Sequence, residues 1–185
     1  MGSGPIQLLA LSGSLRGRSS NTELLRAAAA LAPDGVDVVL YDGIGQLPHF
    51  NPDLEDALPP SVVDFRARVA GAAGLLISSP EYAHGVPGSF KNALDWLVGG
   101  PEFVYKPVAL FNTSPRASYA QESLAETIRT MSGRIISEAS LSLPLLGQRL
   151  DAEGIIARPE LANAIRGAVS AFVEAIRRGS VTIAG

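Results

Sequence analysis

Five short apolar runs, each leading into a segment of helical period, constrain this chain more than any other feature. Ile6 to Leu11, Val36 to Tyr41, Gly74 to Ser78 and Pro107 to Asn112 are the first four. The fifth falls at Arg134 to Ile136 or at the nearby Leu141 to Leu143. Apolar residues recur at helical spacing after each run: Leu24, Leu25, Ala28 and Leu31; Val62, Phe65 and Val69; Ala120, Leu124, Ile128 and Met131; Leu161, Ile165, Val169, Phe172 and Ile176. Another helix is expected from Pro87, a residue suited to a first turn, through Trp96 to the stop at Gly99-Gly100. Ser20-x-x-Glu23 reads as a capping box, and Ser61 as the cap of the second helix. Asp42 to Pro60, rich in Pro, Gly and Asp without a clear period, reads as a long loop.

Such alternation predicts a parallel sheet with helices on both faces and right-handed crossovers. A chain of 185 residues is expected to form a single domain over 1–185. In sheets of this kind ligands bind beyond the carboxyl ends of the strands. Polar or special residues follow Leu11, Ile77 and Phe111, so those three loops form the candidate site.

Composition narrows the chemistry. There is no cysteine, which excludes disulfides, zinc–thiolate sites and thiol redox catalysis. Any redox role therefore needs a bound cofactor. Fifteen basic against 18 acidic residues, net −3, gives no reason to expect nucleic acid or an anionic membrane as partner. No apolar run approaches the roughly 20 residues of a membrane span. The start, "MGSGPIQ", does not read as a secretory signal, so a cytoplasmic protein is expected.

The first loop, Gly13 to Asn21, reads "GSLRGRSSN". A pyrophosphate diester needs close backbone approach, hence three glycines in G-x-G-x-x-G, and Gly13 and Gly17 miss that spacing. This disfavours a dinucleotide site in which Asp42 would bind a ribose. A terminal phosphomonoester is near-dianionic and has three free oxygens. Hydroxyls of Ser12, Ser14, Ser19 and Ser20, the Asn21 amide, backbone N–H groups at a helix start and the guanidinium of Arg16 or Arg18 suit it. The alternative is a solvated turn whose hydroxyls only cap the helix.

The second loop carries Pro80-Glu81-Tyr82-Ala83 and then Pro87-Gly88-Ser89-Phe90-Lys91-Asn92-Ala93-Leu94-Asp95-Trp96. Together with Gly13, Ser14, Leu15, Arg16, Ser19 and Asn21, it resembles the NAD(P)H-dependent FMN reductases, which include chromate, quinone and azo-dye reductases. The resemblance covers roughly the first three quarters of the chain. It implies a flavodoxin-like, doubly wound five-stranded parallel sheet of order 2-1-3-4-5. It implies that Ser14, Leu15, Arg16, Ser19 and Asn21 hold the FMN phosphate, with Ser20 adding a backbone donor. By the same carry-over Pro80, Glu81, Tyr82 and Ala83 line the isoalloxazine, and Ser114 in "FNTSPR" sits near the flavin. The family most often has Asn where this chain has Ala83. Arg18 falls on a variable position and is expected in solvent.

The resemblance further implies an oxidoreductase that takes hydride from NADPH or NADH and passes it, in ping-pong order, to a quinone, azo, chromate or free-flavin acceptor. FMN carries the chemistry, so no catalytic side chain and no metal is expected. A homodimer or homotetramer is the family's usual assembly. Two other readings stand beside it: a flavodoxin-type FMN electron carrier without nicotinamide activity, and a non-enzymatic binding module on the same fold. Lys91, Asn92 and Asp95 are expected to order their helix, Phe90 and Trp96 to fill core or subunit interface, His49 to lie at the surface or an interface on a loop that could border the site, and Arg116 to be exposed or to meet the nucleotide's phosphate.

Overall fold

The apolar runs pair side by side in a computed structural model that describes residues 4–114, 116 and 118–182. The strands are β1 (Ile6–Ser12), β2 (Val36–Tyr41), β3 (Gly74–Ser78), β4 (Pro107–Asn112), β5 (Arg134–Ile135) and β6 (Leu141–Ser142). They run parallel in the order β2-β1-β3-β4-β5, with β6 also beside β4. In the central register Leu8 faces Val38 on one side and Gly74 on the other.

Both candidate positions for the fifth strand are used. β5 and β6 are two halves of one edge, separated by a short 3-10 turn at Ser137–Ala139. The Ser140 hydroxyl bridges the gap, donating to Ile136 O (3.1 Å) and accepting from Leu110 N (3.2 Å). A side chain thus replaces the ladder bond that the break removes from β4.

The helices are α1 (Ser20–Ala30), α2 (Pro60–Gly71), α3 (Gly88–Asp95), α4 (Ser118–Thr130), α5 (Ala152–Ile156) and α6 (Pro159–Thr182). Alternate strand residues point to opposite faces, giving two apolar layers. Leu8, Ala10, Leu76 and Phe111 pack with Leu24 and Leu25 of α1 and Ile165, Val169 and Phe172 of α6. Leu9, Leu11, Leu75 and Ile77 pack with Phe65 and Val69 of α2 and Phe90 and Leu94 of α3. Gly74 permits the close approach of α6: a Cβ there would fall 2.7 Å from Phe172 Cζ.

Three helix-end expectations are corrected. Ser19, not Ser20, occupies the cap position of α1, and its side chain makes no capping bond. Glu23 reaches Ala152 N (3.0 Å) and Arg26 instead of closing a capping box. Pro59, not Ser61, precedes α2, and α3 ends at Asp95 after starting from Pro87 as cap.

The long loop is pinned rather than loose. It contains 3-10 turns at Gly43–Gln46 and Pro52–Ala57. Pro48 O accepts from Asn92 Nδ2 (2.9 Å) and from Trp96 Nε1 (2.8 Å), while Phe50 N donates to Asn92 Oδ1 (2.7 Å). Trp96 and Phe90 are fully buried. Lys91 pairs with Asp95 along α3. No described helix is long and apolar enough to cross a membrane.

Candidate functional site

A cleft of about 890 Å³ opens beyond the carboxyl ends of the strands. Four segments wall it: the β1–α1 loop, the loop after β3, the end of β4, and residues 146–151. That volume lies within the range of small-molecule and cofactor sites.

The first wall is built by close approach of two strand ends. Gly13 N donates to Ser78 O (2.8 Å), and a Cβ on Gly13 would lie 2.3 Å from Ser79 Oγ. Only glycine fits there. Beyond it Ser14 N donates to Ser12 Oγ (3.3 Å), which pairs with Thr22 Oγ1 (2.8 Å). Asn21 Oδ1 accepts from both Ser78 Oγ (2.9 Å) and Thr113 Oγ1 (3.3 Å). One buried amide oxygen therefore ties α1 to the ends of β3 and β4. Its carbonyl side is filled, which leaves the Nδ2 side as the donor available at the cleft. Ser14, Ser19, Ser20 and Arg16 line the same end. The first turn of α1, without a side-chain cap from Ser19, presents N–H groups and the positive end of the helix dipole there.

The second wall is Ser79, Pro80, Glu81 and Tyr82. One oxygen of the Glu81 carboxylate is already engaged: Oε2 accepts from Ala120 N (2.9 Å) in the first turn of α4. Tyr82 and Gly85 then form a two-residue hairpin, Tyr82 N to Gly85 O (3.0 Å) and Gly85 N to Tyr82 O (2.9 Å). Ala83 (φ 50°) and His84 (φ 63°) both occupy the left-handed region. Two central residues with positive φ define this turn, a conformation that Asn tolerates better than Ala. The His84 ring stacks on Tyr119 at 4.2 Å, a second tie between the hairpin and α4.

Nine of the eleven residues carried over from the resemblance line the cleft. They are Ser14, Arg16, Ser19, Ser20, Asn21, Pro80, Glu81, Tyr82 and Ser114. Leu15 and Ala83 do not. The Leu15 side chain is exposed and turns toward Gly45, whose added Cβ would meet Leu15 Cδ2 at 3.2 Å. Ser114 N is held by Asn112 Oδ1 (2.9 Å). His49 is exposed and outside the cleft wall, whereas Arg116 and Arg18 line it. Among the described residues no group of acidic and histidine side chains is arranged to hold a metal ion.

Residues 146–151 are the part that sequence reasoning missed, whereas Asn112 and Thr113 fall in the expected loop after Phe111 without having been singled out. The signal was the carboxyl end of the fifth strand, but the position of that strand was open. Four arginines and three acids line the cleft. Arg16, Arg18, Arg116 and Arg149 reach the cleft, and among the described residues none has a carboxylate within ion-pairing distance. Its three acids are engaged: Glu23 with Ala152 N and Arg26, Glu81 with Ala120 N, and Asp151 with Gly154 N (2.8 Å). Among the described residues the four guanidiniums therefore keep their donors free for an anionic ligand, while each of the three carboxylates already accepts from a backbone N–H.

A doubly wound sheet of order 2-1-3-4-5, with an anion site at its first loop, defines a flavodoxin-like protein. The sequence pattern of the NADPH-dependent FMN reductases matches residues 6–144, and the chain belongs to that family of oxidoreductases. It is 33% identical over 155 residues to an NAD(P)H-dependent FMN reductase of Pseudomonas aeruginosa, covering 80% of this chain and 83% of that one. It is 33% identical over 157 residues to a 2-hydroxy-1,4-benzoquinone reductase of a Burkholderia species, covering 82% and 85%. Among solved structures, the flavoenzyme NAD(P)H:(acceptor) oxidoreductase of Paracoccus denitrificans superposes with a TM-score of 0.82 at 30% identity, over 93% of this chain and 97% of the other. The cofactor of the family is FMN and its reductant is NAD(P)H. The cleft fits the cofactor by the chemistry of its donors: hydroxyls, an amide, helix N–H groups and guanidiniums at one end, and Pro80, Tyr82, Leu146 and Leu150 as apolar surface along it.

Proposed function

We propose that this enzyme binds FMN in the cleft and reduces quinone-type acceptors with NADPH or NADH. The observation that carries the reading is the uncapped first turn of α1, facing a cleft lined by Ser14, Arg16, Ser19 and Asn21. That end takes the phosphomonoester: Arg16 supplies a charged fork, the serines and the Asn21 amide supply donors, and the helix dipole adds to both. The Ser78–Asn21–Thr113 bonds hold the amide in place before any ligand arrives, so little ordering is left for binding. Backbone groups of Pro80 to Tyr82 edge the ring, their turn fixed by the Glu81 and His84 contacts to α4. Ser114 closes the other side.

Bound FMN supplies hydride acceptance from the nicotinamide and onward delivery to the acceptor. The exposed Tyr82 and Leu146 leave an opening that admits nucleotide and acceptor in turn. Azo compounds, chromate and free flavin place few steric demands on such an opening and belong to the same proposed acceptor set.

The test is a visible spectrum of the purified protein with and without added FMN, followed by NADPH and NADH oxidation against a quinone series. Parallel double-reciprocal lines are expected; intersecting lines overturn the ping-pong order. FMN binding without nicotinamide oxidation would make the chain an electron carrier. Arg16→Ala is expected to weaken FMN binding much more than Arg18→Ala; equal losses contradict the assignment within this loop.

A further inference from the structure

The family pattern ends at residue 144, yet residues beyond it form one wall of the cleft. That segment is fixed at both ends. Leu145 N and Leu146 N both donate to Thr113 O (3.0 and 3.1 Å), anchoring it to the end of β4. Asp151 Oδ1 accepts from Gly154 N (2.8 Å), and Ala152 N donates to Glu23 Oε2 (3.0 Å), anchoring it to α1 one turn from the anion site. Between these anchors lie Gly147 (φ 86°) and Arg149 (φ 53°). A left-handed arginine persists only where its surroundings fix it, and such residues cluster at functional sites. Its neighbour Gln148 is turned to other work, donating from Nε2 to Pro144 O (2.5 Å) and bonding Arg158. Arg149 lines the cleft, and among the described residues no carboxylate pairs with it. Asp151 on this wall and Glu23 beside it on α1 each already accept from a backbone N–H.

We propose that Arg149 is a further phosphate ligand, supplied by a part of the chain outside the family pattern, and that it binds a phosphomonoester dianion at the α1 end of the cleft. The proposal rests on the reading that the cleft holds FMN. A planar guanidinium on a doubly anchored loop matches two phosphate oxygens at once. Two sources offer that chemistry: the 5′-phosphate of FMN and the 2′-phosphate of NADPH. The anchor on Glu23 keeps the loop beside the first turn of α1, which favours the flavin phosphate.

The experiment compares wild type with Arg149→Gln, Arg149→Lys and Arg149→Gly. The last suits the left-handed backbone and so keeps the loop intact. Dissociation constants for FMN and for riboflavin come from flavin-fluorescence titration, and kcat/KM is measured with NADPH and NADH. In the Gln and Gly variants FMN affinity is expected to fall by about 10- to 100-fold, with riboflavin affinity unchanged and partial recovery in the Lys variant. A fall in the NADPH-to-NADH ratio of kcat/KM at unchanged FMN affinity supports the same contact with the nucleotide as its source. The proposal is overturned if FMN affinity and the nucleotide ratio both stay unchanged, or if FMN and riboflavin weaken equally. Wild-type protein that binds neither flavin would instead remove the reading beneath it.

Discussion

Ala83 sits at a left-handed position where the family most often has Asn, so its replacement reads the backbone directly. The residue is exposed and its neighbours Tyr82 and Gly85 close the turn through two backbone bonds. Its own φ is 50° and that of His84 is 63°. An L-residue with a Cβ pays roughly 1–2 kcal/mol in this region, less for Asn, whose short polar side chain bonds locally. Ala83→Gly removes that strain but frees the unfolded chain by about 0.4–1 kcal/mol, leaving a small net gain. Ala83→Asn avoids the second effect and is expected to stabilise by about 0.5–1 kcal/mol. In a chain of 185 residues that corresponds to a rise in Tm of about 1–4 °C. Ala83→Val, β-branched at positive φ, is expected to lower Tm by about 2–4 °C or more. Calorimetry of the FMN-free and FMN-saturated proteins measures all three. Because the position acts through its backbone, Ala83→Asn leaves FMN affinity within about twofold, well under 1 kcal/mol. A neutral Val variant, or an Asn variant that is destabilised, would refute the left-handed turn. A tenfold change in FMN affinity with Asn would refute the backbone role.

Asn21→Leu removes the acceptor of two buried hydroxyls, Ser78 and Thr113, and is expected to lose about 2–3 kcal/mol in urea unfolding together with FMN binding; a loss below about 0.5 kcal/mol contradicts the network. Gly74→Ala drives a Cβ to 2.7 Å from Phe172 and 2.9 Å from Ile176, so destabilisation of about 1–3 kcal/mol is expected at unchanged flavin affinity. The Tyr41 phenol is held above its ordinary pKa, first by burial and then by the nearby Asp64 carboxylate. Its unfolded form therefore loses the proton first, and stability falls as pH rises above about 10. Tyr41→Phe keeps the stack on Phe65 and should flatten that part of the stability–pH curve; an unchanged slope places its origin elsewhere.

Periodicity made the sheet and its helices legible because each strand–helix pair buries its face locally in the chain. The fifth strand was ambiguous for a physical reason: it is two dipeptide ladders, and the Ser140 side chain that joins them has no signature in a hydrophobic pattern. The helix caps were misread because Ser20-x-x-Glu23 has the capping-box spacing, but Glu23 is drawn to a distant partner, Ala152. Pro80 and Asn21 were readable from their motif, yet the direction of a side chain was not. Leu15 turns outward to Gly45, and Glu81, though it lines the cleft, gives one carboxylate oxygen to the first turn of α4. Arg149 was invisible because it enters the site from a strand end that follows no motif.

The central claim is that the first turn of α1 and its hydroxyls hold a phosphomonoester. Titration of the wild-type protein with FMN and with riboflavin tests it most directly, since the two flavins differ only in that phosphate. FMN is expected to bind at least about 100-fold more tightly, the sum of two or more charge-assisted contacts of 1.5–3 kcal/mol less the phosphate's desolvation. Equal affinities for the two flavins would contradict the claim.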